Sequence, residues 1–262
     1  MTEIALQNGE PVLRTETRGA VLVIELNRPH ARHAFDLALA TALSATLDRL
    51  DEEPALIAGV LTGSGGTFSS GADLKALLRG ERGLTEKRGG FGVLKVPPDK
   101  PLIAAVEGYA FAGGFELALA CDLIVAAETA QFALPEVKRG LVAVGGGLFR
   151  LPRRIPHHVA MELALTGEPM TAERLYGFGL LNRVVEPGKA LAVALELAQK
   201  IAENGPLALR ATKQILARSH EWTDTVGWTE QRRFADVALR SEDAKEGPRA
   251  FAEKRAPVWK GR

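Results

Sequence analysis

The sequence predicts an α/β core of repeated strand–helix units that gives way to a run of helices. Three observations carry that expectation. Short apolar runs with strand character (57 to 62, 102 to 106 and 123 to 127) alternate with stretches of helical spacing. Glycine-rich turns separate them, at 63 to 71 and around Gly113-Gly114. After Gly140 the composition turns helical, with helices expected over 156–165, 171–177, 189–204, 206–218 and 221–240.

Taken in order, residues 12 to 26 read as two strands joined at Arg18-Gly19, a hairpin pattern. Asn27-Arg28-Pro29 closes the second strand and opens a loop carrying Arg28, His30, Arg32 and His33. Asp36 is a helix cap, followed by Leu39, Leu43, Leu47 and Leu50 at helical spacing. Asp73 stands at the start of another helix. Charge, glycine and proline accumulate from Arg79 to Lys100, which predicts a mobile surface segment. A helix is expected over Gly113 to Ala120, a short strand over Ala130 to Ala133, and Pro206 fits a first helical turn. Trp222, Trp228 and Trp259 read as packing anchors of the helical end, and Asp122 as a holder of neighbouring backbone.

The 262 residues suffice for a sizeable core. A formal charge of +1 offers no overall attraction to nucleic acid or to an anionic membrane, so neither partner is expected. Cys121 is the only cysteine, which rules out an internal disulfide and a cysteine-rich zinc site. His157, His158 and His220 show no metal-ligand spacing with a third partner, and no metal is expected. The first ten residues have no basic start and no long apolar stretch, and no run is long enough to span a bilayer. The expectation is a cytoplasmic protein.

Chemistry concentrates between Leu102 and Gly140. Glu116 is the only charged residue between Gly108 and Cys121, and a carboxylate in so apolar a run must be paired, protonated or functional. The next candidate carboxylate is Glu136, just after Pro135; the two suggest an acid/base pair. Free amides at the helix starts near Ser70-Gly71-Ala72-Asp73 and Gly113-Gly114 would form an oxyanion hole if they faced each other.

These residues carry a family resemblance. Phe68-Ser-Ser-Gly-Ala-Asp-Leu-Lys75, the run from Ala105 to Asp122 and the run from Ala130 to Gly140 resemble the signature segments of the enoyl-CoA hydratase/isomerase (crotonase) superfamily. The likeness extends through Leu165-Thr-Gly167 and Gly179 to Val185, and on to Phe251-Ala-Glu-Lys-Arg255. It implies a crotonase-like (ClpP/crotonase) fold of repeated ββα units. The core would be residues 1–195, and 196–262 a C-terminal helical region that packs on neighbouring subunits as a homotrimer or a hexamer. It also implies an acyl-CoA thioester substrate, with no cofactor beyond the CoA that the substrate carries. The thioester oxygen would sit on the amides of Ala72 and Gly113, with Glu116 acting mainly on water and Glu136 on the α-proton. CoA would be held by residues among Arg28, His30, Ala31, Ser70, Ala72, Asp73, Leu74, Lys75, Gly113 and Lys254, with Arg32 a further cation. The expected activity is enoyl-CoA hydration. The alternatives are an isomerase, hydrolase or lyase of the same superfamily, and a non-catalytic CoA- or RNA-binding homologue. His33 and Phe35 depart from the pattern, which has asparagine and leucine there, and Leu141 to Gly147 lacks its usual proline.

Overall fold

The computed structural model describes residues 6–7 and 9–262; residues 1–5 and 8, on which part of the reading of the leader rests, lie outside it. A small ladder of β1 (Leu6–Gln7) and β2 (Glu10–Pro11) precedes the hairpin β3 (Leu13–Arg18) and β4 (Val21–Leu26). The hairpin turns at Arg18-Gly19 as expected, with Gly19 at φ 61°. Helix α1 (Leu37–Glu52) follows, and the Asp36 carboxylate accepts from the Leu39 amide at 2.9 Å, the cap the sequence signalled. Then come β5 (Ala58–Gly63), α2 (Leu74–Leu78), and a two-rung ladder of β6 (Leu84–Thr85) with β7 (Gly89–Gly90). Strand β8 (Leu102–Val106), β9 (Tyr109–Phe111), helix α3 (Gly113–Ala120), β10 (Leu123–Ala127) and β11 (Gln131–Ala133) complete the central part.

The main sheet has the order β13-β10-β8-β5-β4-β3, where β13 is Arg183–Val185. It is parallel except for the β3–β4 hairpin. Its central strands β8 and β10 are apolar without interruption because both faces are covered. Leu22, Ile24, Leu61, Ala104, Val106 and Ile124 face the large core that includes α1 and α3. The alternate residues Val21, Val23, Val60, Ile103, Ala105 and Val125 pack under α7 (Ala190–Ala202), through Ala194, Leu195 and Ala198. The expected boundary at 195/196 falls within this continuous helix. A second sheet, β12-β11-β9 with β12 at Met170–Thr171, stands beside the first. Cys121 ends α3 fully inside, and burial pushes its thiol pKa up.

The remaining helices are α4 (Gly147–Arg150), α5 (His157–Thr166), α6 (Ala172–Gly177), α8 (Pro206–Arg218), α9 (Asp224–Leu239) and α10 (Asp243–Ala252). The first and last of these escaped the sequence reading; Gly247-Pro248 inside α10 masks its helical pattern. Asp122 accepts from the Leu102 amide at 2.7 Å and from Lys213 Nζ at 2.6 Å, which fastens α8 to the sheet. Trp259 packs over Gly205 and Gly247 and donates to the Glu203 carbonyl, and Trp222 stacks on Phe234. Trp228 departs from expectation, being 75 % exposed in the single chain. No helix among the described residues is long and apolar enough to cross a membrane.

The expectation of a surface strap over 79–100 needs correction. Phe91, Val93 and Leu94 belong to the main core, and Arg88 is buried. Its guanidinium meets Asp48 at 2.7 Å and Asp51 at 2.8 Å, both on α1, and donates to the Val96 carbonyl. Charge density suggested solvent, and most of these charges are exposed, but Arg88 is taken inside and neutralised by the two aspartates. Removing one partner of such a buried network leaves the others uncompensated. Arg88→Met is therefore expected to lower stability by about 3 kcal/mol, read as urea unfolding at fixed protein concentration. A loss within experimental error would show that the apolar residues alone hold the segment.

Candidate active site

The loop after β5 is threaded between two partners. Ser69 bridges to Ala110: its amide donates to Tyr109 and its carbonyl accepts from Phe111, both at 3.0 Å. On the other side Phe35 donates to the Gly71 carbonyl and accepts from the Asp73 amide. In that parallel bridge the intervening Ala72 turns its own N–H away from Phe35, toward the cleft. Gly113 is the first residue of α3, so its amide has no intrahelical acceptor. Gly71, at φ 94°, makes the approach possible, since a Cβ there would stand 2.8 Å from Gly113 N. Gly113 is equally confined: a Cβ would lie 2.4 Å from the Phe91 ring, which stacks on Phe35 at 4.4 Å. The chain enters α3 through Ala112 at φ 53°, a backbone conformation uncommon for a residue with a side chain.

Glu116 lies one turn along α3 from Gly113, so both look the same way. Only 4 % of it is exposed, and its Oε1 accepts from the Gly147 amide at 2.9 Å. The Gly145 backbone faces the same carboxylate and favours its charged form. A Cβ on Gly145 would fall 2.4 Å from Oε2, so these glycines form a cradle that side chains would fill. Burial raises the Glu116 pKa, opposed by the Gly147 and Gly145 backbone and by the charge of Arg150. Arg150 binds the cradle from behind, donating to the carbonyls of Gly145 (3.1 Å) and Leu94 (2.6 Å). In the sequence, the segment from Leu141 to Gly147 stood out only for its missing proline. Its real signal was proximity, because consecutive glycines beside a buried acid permit backbone contact. Arg150 carried no such signal.

Glu136 sits on a single 3-10 turn, Pro135–Arg139, that follows β11. Its Oε2 is buried and has no hydrogen-bond partner among the described residues. Burial pushes its pKa up to about 7, with the Glu116 charge adding and Arg139 opposing. Both carboxylates and both amides line one cleft of about 1150 Å³.

The other expected binding residues divide. His30, Ala31, Ser70, Asp73, Leu74 and Lys75 line the same cleft, as does Arg32. Arg28 reaches it too, but its guanidinium is committed to Asp36 (2.9 Å), Asp73 (3.1 Å) and the Ala34 carbonyl. Its surroundings make it a brace for the loop rather than a phosphate cation, which corrects the expectation. Lys254, just past α10, is exposed and stands apart from the cleft of its own chain. His33, one of the departures from the family pattern, is wholly buried, bonded to the Arg28 amide and the Ser64 carbonyl. Burial lowers its pKa. Among the described residues no group of three His, Cys, Asp or Glu side chains is arranged to hold a metal.

A sequence profile described as Enoyl-CoA hydratase/isomerase matches residues 16–262. The chain belongs to the enoyl-CoA hydratase/isomerase family. A carnitinyl-CoA dehydratase from Salmonella typhi is 44% identical over 258 residues, covering 95% of this chain and 98% of that one. Among solved structures, enoyl-CoA hydratase EchA1 from Mycobacterium marinum superposes with a TM-score of 0.94 at 53% identity, covering 97% of this chain and all of that one. An enoyl-CoA hydratase from Mycobacterium tuberculosis H37Rv gives 0.94 at 52% identity, with 97% and 100% coverage. The mixed sheet and its flanking helices are thus the crotonase fold.

The Glu136 environment has a measurable consequence. A folded-state pKa above the ordinary 4.5 means that the folded chain holds a proton the unfolded chain releases, so stability falls as pH rises from 4.5 to about 7. Glu136→Gln removes that dependence. The melting temperature of the variant relative to the parent should rise across this window and stay level below it. A flat difference across the window would show that the carboxyl ionises freely.

Proposed function

We propose that this chain is an enoyl-CoA hydro-lyase: it adds water across the 2,3 double bond of an enoyl-CoA thioester and catalyses the reverse dehydration. The convergence on one cleft of two uncommitted backbone amides, the buried Glu116 and the half-buried Glu136 carries the reading. Attack of water on the β-carbon moves the double-bond electrons onto the thioester oxygen. Donors aimed at that oxygen stabilise the developing charge, and Ala72 N–H and Gly113 N–H are assigned that role in this reading. The water proton leaves to a carboxylate, the oxygen bonds the β-carbon, and the enolate takes a proton at the α-carbon. Glu116, whose charge is supported by the Gly147 and Gly145 backbone and Arg150, orients and deprotonates the water. Glu136, which keeps its proton to about pH 7, delivers the other. The two act as a coupled unit. This chemistry needs neither metal nor redox cofactor, since acid, base and amide dipoles supply every step.

His30, Arg32 and Lys75 flank the cleft mouth residues Ala31 and Leu74, and with these they are the part of the site proposed to hold CoA. A homotrimer, alone or paired into a hexamer, belongs to the same reading. Helices α8 and α9 bury no residue within the chain and expose Leu216, Trp228, Val237 and Leu239. Lys254 would then serve a neighbouring cleft.

The test is crotonyl-CoA incubated with the protein in ¹⁸O-labelled water. Mass analysis should show one water added with the label in the product, whereas an isomerase adds nothing. Glu116→Gln and Glu136→Gln should each lower kcat by about 10²–10⁴. Hydration should also weaken as pH rises through about 7, where Glu136 loses the proton it delivers. Full activity of Glu116→Gln would defeat the reading.

A further inference from the structure

This inference rests on the acyl-CoA reading above and concerns which acyl groups the cleft accepts. The wall beside the two carboxylates is the strip 141–144, which turns Leu141, Val142 and Val144 to the cleft and Ala143 into the core. It begins where the Leu141 amide donates to the Glu136 carbonyl at 3.1 Å and ends at Gly145, against Glu116. The strip therefore joins the two acids, and Val142 and Val144 are 61 % and 87 % exposed. Exposed apolar surface continuous with a polar reaction centre is what an apolar substrate group covers.

Phe149 lines the same cleft, and its ring already attracts cations of the protein itself. The guanidinium carbons of Arg150 and Arg153 lie 5.3 and 5.6 Å from its centroid. Arg139 adds positive charge to the lining next to the strip. The carboxylates that could answer an incoming cation are engaged. Asp73 is bonded to Arg28, Glu116 is held by the Gly147 amide, and Glu136 is the acid of the reaction. The carnitinyl group named for the Salmonella typhi relative has a fixed trimethylammonium charge. In this cleft such a charge would lose water and meet the Arg139 guanidinium, with those of Arg150 and Arg153 set behind Phe149, instead of a counter-ion.

The geometry points to a charge filter: Phe149, covered by Arg150 and Arg153, together with the 141–144 strip, makes the cleft favour an uncharged apolar acyl group over a cationic one of equal shape. The decisive pair of ligands is γ-trimethylammoniobutanoyl-CoA and its tert-butyl isostere, in which carbon replaces nitrogen. Neither has a double bond, so calorimetric binding to the intact protein reads the filter without turnover. The isostere should bind about tenfold tighter or more. In Val144→Asp, a change at an exposed position, the ratio should fall to about one or invert, because the new carboxylate supplies the missing counter-ion. Equal or tighter binding of the cationic ligand to the unmodified chain, or an unchanged ratio in Val144→Asp, overturns the inference and leaves the hydratase reading intact. Failure of hexanoyl-CoA to bind and of crotonyl-CoA to react overturns that reading, and the inference with it.

Discussion

A carboxylate placed inside a helix-packed core is the constraint around which this structure is arranged. Every residue of α3 is buried, so Glu116 is largely stripped of bulk hydration, and its ionised form depends on what the chain puts against it. The chain supplies backbone groups rather than a contacting cation. That choice explains the glycines at 145 and 147, since side chains there would occupy the carboxylate's own space. It also explains why α4 starts where it does, with the Gly147 amide at its first turn pointing at the acid. Arg150 then ties this turn to Leu94, so the largely buried 88–94 segment and the cradle hold each other.

The opposite wall depends on a second act of threading. Residues 69 to 73 are pinned on one side by β9 and on the other by Phe35, and the loop bearing Phe35 is locked by Arg28 between Asp36 and Asp73. His33 fills the space beneath that loop, with both ring nitrogens engaged by backbone. Two amides distant in sequence therefore reach one cleft because the intervening chain has little freedom to place them elsewhere.

Much of this was legible in the sequence. The strands at 102–106 and 123–127 and the helices at 113–120 and 206–218 were found to the residue, because their apolar runs end at glycine, proline or charge. The two acids stood out as charges in apolar surroundings. What escaped was the part decided by contacts across the chain. Segment 79–100 reads as solvated because its charges are many, and only its pairing with Asp48 and Asp51 places Arg88 inside. Arg28 looked like a ligand for phosphate because the sequence does not show that Asp73, 45 residues on, claims it. Gly145 and Arg150 are ordinary residues until Glu116 is set against them.

The closure of the core around the end of α3 has a practical reach. Cys121 is 1 % exposed and its thiol is held in the protonated form by burial, so thiol reagents find no thiolate on the folded chain. It is also the only cysteine in the sequence. A single cysteine introduced at the rim of the cleft would thus be the sole attachment point for a fluorophore or spin label. The native thiol need not be mutated first.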